Sequence, residues 1–212
     1  MQISTDEVYG PAPLGYAHQE WIDQHLPSNP YSASKAAQED VAFSYWRTYG
    51  VPLAITNTMH IIGETQDTEK FFPMTMKKIL SGEKMTIHGN PETGEIGSRF
   101  YLHARNQADA LLFTLQQNFP AYGEVDMPLR YHIVGEREVD NLEMANLIAD
   151  AMGKKLNYEV VDFHSSRPGH DLRYALDGSK IADVGWKAPI SLEESIQRTV
   201  NWTLAHPEWL EM

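Results

Sequence analysis

Two apolar runs, Met1–Ser4 and Pro52–Thr58, flank one long helical pattern, Tyr31–Tyr49, and this order most narrows what the chain can fold into. A helix between two short strands covers the face of a sheet and returns the second strand parallel to the first. Asn29-Pro30 sets the start of the helix and Gly50 its stop. The alternation continues with a helix around Pro73–Leu80, a strand at Met85–His88, a turn through Gly89–Gly94 and a strand at Arg99–Leu102. A helix over Asn106–Gln117 then carries Ala108, Leu111, Leu112 and Leu115 at helical spacing. Tyr131–Val134 and Tyr158–Val161 read as strands, and Asn141–Met152 as a helix burying Met144, Leu147, Ile148 and Met152. Ser165–Arg173 reads as a long polar loop, and Leu192, Ile196, Val200 and Leu204 as the stripe of the last helix. The expected class is α/β with a parallel sheet.

Composition bounds the function. The chain has 212 residues, 42% of them hydrophobic, enough for a real core. A net charge of -12 works against nucleic acid and anionic lipid as partners. With no cysteine there is no disulfide, thiolate metal site or cysteine nucleophile. No signal peptide or membrane span is read, so the cytoplasm is the expected compartment. The nine histidines fall on different elements without H-E-x-x-H spacing, and no metal site is expected.

Two stretches could carry chemistry. Tyr31 and Lys35 lie four apart at a helix start, so both project from one face, and a lysine near a phenol lowers the phenol pKa towards that of a usable base. Upstream, Thr5, Asp6 and Glu7 stand where a strand ends and a loop begins, the place where ligands collect in parallel α/β sheets. Adjacent acids there can divide into an acid and a base if their surroundings separate their pKa values; the plain alternative is a pair of solvated loop acids.

Ser4-Thr5-Asp6-Glu7-Val8-Tyr9-Gly10 followed by Asn29-Pro30-Tyr31-Ser32-Ala33-Ser34-Lys35 resembles the extended short-chain dehydrogenase/reductase superfamily. Within it the chain most resembles dTDP-glucose 4,6-dehydratase and related nucleotide-sugar dehydratases. The similarity continues through Thr56-Asn57, Glu69-Lys70-Phe71-Phe72-Pro73, Arg99, Asn141 and Arg167-Pro168-Gly169-His170-Asp171-Leu172-Arg173-Tyr174. It implies a Rossmann-like parallel sheet, truncated at its N-terminal side, with an interleaved smaller α/β substrate-binding part. Residues 1–58 would be the remainder of the dinucleotide-binding domain, and 59–212 mainly the substrate-binding part with returning Rossmann elements. By resemblance, NAD is the cofactor, held by Ser4, Tyr31 and Lys35. Thr5, Asp6, Glu7, Tyr31 and Lys35 would be catalytic. Asn57, His60, Lys70, Arg99, Asn141, Arg167 and His170 would bind a nucleotide-diphosphate sugar. The implied reaction oxidises the sugar at C4, removes water across C5–C6 and reduces C6.

Departures from the pattern bear on what the chain does alone. His60-Ile61-Ile62-Gly63 stands where the family commonly has N-x-Y-G, and Phe100-Tyr101 replaces the usual acidic-aromatic pair after Arg99. No glycine-rich phosphate turn occurs in these residues; Gly89, Gly94 and Gly97 have the wrong spacing for one. The leading expectation is therefore a dehydratase that is incomplete as a lone chain, its sheet edge exposed. Its partner would be a complementing N-terminal chain or a second copy in a homodimer. The alternatives are an epimerase of the same superfamily and a non-catalytic sugar-nucleotide-binding or dimerising module.

Overall fold

The computed structural model describes residues 1–90, 92–162 and 173–210. It opens with the expected unit: β1 (Gln2–Thr5), α1 (Pro30–Tyr49) and β2 (Ala54–Thr58), the two strands parallel with Gln2 opposite Ile55 and Thr5 opposite Thr58. Asn29 caps α1 by accepting from the Ser32 amide while its own amide donates to the Ser32 hydroxyl, and Pro30 follows at the first helical position. Gly50 ends the helix at φ 65°, a conformation that suits glycine. β7 (Leu129–Ile133) returns beside β2, giving a parallel sheet in the order β1-β2-β7. Every residue of β2 is buried, as a central parallel strand requires.

Between β2 and β7 come β3 (Ile61–Ile62), α2 (Phe71–Ser81), β4 (Met85–Gly89), β5 (Ser98–Phe100), β6 (Leu102–His103) and α3 (Ala104–Leu115). After β7 follow β8 (Glu138–Asp140), α4 (Asn141–Ala151), β9 (Tyr158–Asp162), α5 (Ser179–Asp183) and α6 (Leu192–Ala205). β4 pairs parallel with β9, β3 parallel with β6, and β5 antiparallel with β8. The main core joins α2, α4 and α6 through Phe72, Met76, Met144, Ile148, Ile196 and Val200. A second cluster, with Val8, Tyr9, Ala36, Met59, Tyr174 and Leu176, lies under the carboxyl end of the sheet.

Three expectations are corrected. The strand expected at Arg99–Leu102 is two, β5 and β6, with different partners. Gly135 backs onto the break between them so closely that a Cβ there would lie 2.2 Å from the Tyr101 carbonyl oxygen. On α3 the buried positions are Asn106, Gln107, Ala110 and Thr114, whereas Leu112 and Leu115 are exposed. The polar pair is accommodated by specific bonds: Asn106 exchanges two with the Ile190 backbone, and Gln107 donates to the Thr58 hydroxyl at 2.9 Å. Leu204, counted in the stripe of α6, is 42% exposed.

β1 has β2 as its sole strand neighbour among the described residues. Beside it an open groove of about 730 Å³ runs along α1, lined by Met1, Gln2, Ile3, Ser34, Ala37, Gln38, Val41 and Ala42. Ile3 is 48% exposed there and Val41 58%.

Candidate active site

β1 ends at Thr5 and the chain turns at once into a 3-10 helix, Asp6–Tyr9. Thr5 caps it, its hydroxyl accepting from the Glu7 amide at 3.4 Å and donating to Asp6 Oδ1 at 2.9 Å. Asp6 is buried, and its Oδ2 has no hydrogen-bond partner among the described residues. Burial pushes its carboxyl up to about 7; the Thr5 hydrogen bond opposes this and the Glu7 charge adds to it. Asp6 therefore holds a proton close to neutral pH. Glu7 instead lines the neighbouring cavity and accepts from Asn29 Nδ2 at 3.1 Å.

Tyr31 opens α1 beside this turn. Burial first, then the charges of Glu7 and Asp6, raise its phenol above the ordinary value, and a contact with Thr5 works the other way. This corrects the expected lowering by Lys35. The charges acting on Tyr31 are carboxyls, while Lys35 Nζ donates to the Ile3 carbonyl at 3.2 Å on the sheet edge.

The cavity has a volume of about 490 Å³ and lies between the Glu7 turn, β3, α2, β4 and the start of α4. It gathers His60, Lys70, Arg99 and Asn141 from the expected substrate set. Arg99 lies over the Tyr174 ring at 4.6 Å, and its Nη1 donates to the Ser98 carbonyl at 2.6 Å. Asn141 Oδ1 accepts from the Tyr101 hydroxyl at 2.8 Å, and His60 stands edge-on to the Tyr101 ring at 6.0 Å. Lys78 and His88 also line the cavity and were not among the expected site residues. Lys78 lies on α2, and Lys70 stands at the cap position that starts that helix. The cations Lys70, Lys78 and Arg99 suit an anionic ligand, with Glu7 and Glu69 on the same wall.

Two expected residues are placed elsewhere. Asn57 is wholly buried in β2, its amide donating to Glu39 Oε1 at 2.8 Å and to the Thr5 carbonyl at 3.1 Å. Ser4 is buried in β1 next to Glu39. Both face α1 rather than the cavity, because Ser4 and Asn57 are opposite one another in the strand register. Arg167 and His170 lie outside the described residues. Among the described residues no group of His, Asp and Glu could hold a metal ion. No described helix is long and apolar enough to cross a membrane.

Comparison with known proteins places this geometry. The sequence model of the GDP-mannose 4,6-dehydratase family matches residues 1–199. The chain belongs to that family. Within the family's range it is 34% identical over 216 residues to a probable dTDP-glucose 4,6-dehydratase of Sinorhizobium fredii, covering 99% of this chain and 58% of that protein. To the dTDP-glucose 4,6-dehydratase of Haemophilus influenzae it is 36% identical over 212 residues, 95% of this chain and 60% of that one. The crystal structure of a Bacillus anthracis dTDP-glucose 4,6-dehydratase in complex with NAD superposes with a TM-score of 0.83 at 30% identity, covering 99% of this chain and 62% of that one. A Thermus thermophilus UDP-glucose 4-epimerase complexed with NAD gives 0.81 at 25% identity, with 94% and 62% covered. The fold is thus the Rossmann-like one of the family, and the chain spans between 58% and 62% of the length of these relatives.

Proposed function

We propose that the chain is the substrate-binding and acid–base part of a nucleotide-sugar 4,6-dehydratase of the dTDP-glucose type, a hydro-lyase that uses NAD and is incomplete as a lone chain. The observation that carries this reading is the Asp6–Glu7 pair: adjacent carboxyls, one buried with a pKa of about 7, the other facing the cavity. Loss of water needs a base at C5 and an acid at the C6 oxygen. Epimerisation expels no hydroxyl and has no use for the pair.

The residues would act as follows. Lys70, Lys78 and Arg99 hold the diphosphate, the planar guanidinium donating two bonds at once. Tyr31, with Thr5 beside it, would accept the proton of the C4 hydroxyl as phenolate, a form that the neighbouring carboxyls disfavour in this chain alone and that the positive charge of bound NAD would favour. The resulting ketone acidifies C5–H, whose proton passes to Glu7. Asp6 gives its proton to the C6 oxygen as the C6–O bond breaks, and the electrons left at C5 form the C5–C6 double bond. Water leaves with the Asp6 proton, the Glu7 proton returns to C5 when C6 is reduced, and the proton that Tyr31 took up is released as Asp6 takes one back from solvent.

NAD would supply the hydride acceptor for C4 and the donor for C6. The residues present fit one end of it. Tyr31 and Lys35 stand at the open edge of β1, where a nicotinamide riboside would lie. For the diphosphate end the described residues offer no cradle, since Gly89 ends β4 and Gly94 lies between β4 and β5 with no helix after it. The exposed edge of β1 and the α1 groove are the surface that a complementing segment would cover. Pairing of two copies through α1 is the competing use of that face.

The test is to incubate the purified chain with dTDP-glucose and NAD, with and without a separately made N-terminal segment of a relative, and to follow the alkaline absorbance of a 4-keto sugar. Product only with the added segment is expected. Binding of dTDP-glucose without product in either case would make the chain a binding module, and no binding would end the reading. Sizing of the chain alone tells a homodimer from a monomer awaiting its complement.

A further inference from the structure

Between α1 and the sheet lies a buried polar circuit that the reaction itself does not use. Glu39 is 1% exposed on α1, and Arg130 is 3% exposed on β7. Arg130 Nη2 donates to Glu39 Oε2 at 2.5 Å, and its Nη1 donates to the Tyr9 hydroxyl at 2.8 Å. Arginine can only donate, so the Tyr9 oxygen accepts and its proton is available to His132 Nε2, 2.9 Å away. Burial pushes the His132 imidazole down to about 3, which leaves it neutral and able to accept. The Trp21 ring lies under the Arg130 guanidinium at 4.0 Å, and His25 Nε2 is 3.3 Å from Glu39 Oε2.

The other Glu39 oxygen closes the circuit. Oε1 accepts from Asn57 Nδ2, which also donates to the Thr5 carbonyl. Thr5 immediately precedes the 3-10 helix that carries Asp6 and Glu7, and Tyr9 is its last residue. One carboxylate therefore holds both ends of that helix: the start through Asn57, the end through Arg130 and the Tyr9 hydroxyl. Burial works against the Glu39 charge, but the His25 hydrogen bond and the Arg130 guanidinium outweigh it and keep the carboxyl below its ordinary value.

We propose that Glu39 is a positioning residue that, acting through Asn57 and Arg130, fixes the Asp6–Tyr9 turn so that Asp6 stays buried while Glu7 faces the cavity. That this serves an acid and a base rests on the dehydratase reading. The placement of Asp6 does not, and it can be measured without substrate.

The experiment follows the Asp6 carboxyl by carbon-13 NMR of aspartate-labelled protein across pH, in the parent chain, Glu39→Gln and Tyr9→Phe. The groups facing Asp6 are Thr5, Glu7, Tyr31 and Arg99, and all are left unchanged. Tyr9→Phe keeps the ring in its packing and removes only the hydroxyl, so it tests the circuit even if Glu39→Gln fails to fold. In the parent a midpoint close to 7 is expected. In each folded variant it falls by about one pH unit or more, because burial is the largest influence holding it up and a loosened turn admits water. A Tyr49→Phe control, at the exposed C-terminal end of α1, keeps the parent midpoint. Folded Tyr9→Phe with a parent midpoint would overturn the proposal and leave Glu39 a purely structural ion-pair partner. Unaltered titration together with intact dTDP-glucose binding would sink the positioning role alone, whereas altered titration without such binding would sink the dehydratase reading alone.

Discussion

Replacing Asp6 by Asn should raise the stability of the protein relative to the parent progressively as pH rises. Burial holds the Asp6 carboxyl up at about 7 against an ordinary 3.8. Below about pH 4 it is protonated in folded and unfolded chains alike, and its proton contributes no pH dependence. As pH rises, the unfolded chain releases the proton first, so unfolding becomes easier until the folded carboxyl also ionises near 7. The gap of about three pH units, at about 1.4 kcal/mol each, comes to ~4 kcal/mol of stability lost across that window. This is a large share of the 5–15 kcal/mol by which domains are commonly stable, taken as about that range. Asn keeps the shape and the Oδ1 that accepts from Thr5, and it cannot ionise. Its amide adds a constant offset of about 1–3 kcal/mol for a buried donor without a partner. The slope carries the test, not the offset. Urea unfolding of both proteins from about pH 4 to 8 should show the stability of D6N relative to the parent rising by ~4 kcal/mol and levelling off above 7. A difference that stays flat across this range would refute the burial of an ionisable Asp6.

Two further substitutions probe what holds the site in place. Trp46 is fully buried, packs against Phe43 and Tyr122 and donates from Nε1 to the Pro120 carbonyl at 2.9 Å, so Trp46→Ala should cost about 3–5 kcal/mol in denaturant unfolding. Gly10 leaves the Asp6–Tyr9 turn at φ 73°, and a Cβ there would lie 2.3 Å from the Leu26 carbonyl oxygen. Gly10→Ala should therefore destabilise by about 2 kcal/mol or more and break the 2.9 Å bond from the Leu26 amide to the Val8 carbonyl, seen as faster hydrogen exchange at Leu26.

Local signals were enough for the first unit of the fold. Asn29-Pro30, Gly50 and the apolar run before Thr58 act over a few residues, and the helix and both strands stand where those residues put them. The cavity was legible in part, because His60, Lys70, Arg99 and Asn141 come from separate elements that the fold brings to one wall. What stayed hidden depends on distant partners. Counting apolar positions assigned α3 the wrong face, since its buried Asn106 and Gln107 are satisfied by Ile190 and Thr58, 84 and 49 residues away. Asn57 and Ser4 look like ligand groups in sequence, yet their strand parity turns them towards Glu39, whose charge is balanced by an arginine 91 residues along. Lys35 looked like the activator of Tyr31 because a helical turn separates them; its ammonium donates to the Ile3 carbonyl at the sheet edge instead.

The separation of Asp6 from Glu7 has a geometric origin. Had β1 continued, Asp6 and Glu7 would point to opposite faces of the sheet. A 3-10 helix has three residues per turn, so consecutive side chains diverge by about 120° from one short axis. In this turn Asp6 enters the protein beneath Thr5 while Glu7 emerges beside Asn29 at the cavity. Two carboxyls that share a backbone bond thus meet different surroundings without any intervening residue, and burial raises the Asp6 carboxyl while Glu7 stands at the cavity. The arrangement is costly above the ordinary carboxylate range, because burial disfavours the charged form of Asp6. Ties at both ends of the turn, at the Thr5 carbonyl and the Tyr9 hydroxyl, hold it against unwinding towards water. The ~4 kcal/mol held in Asp6 and the buried charge of Glu39 are therefore two sides of one device, and weakening the second should release the first.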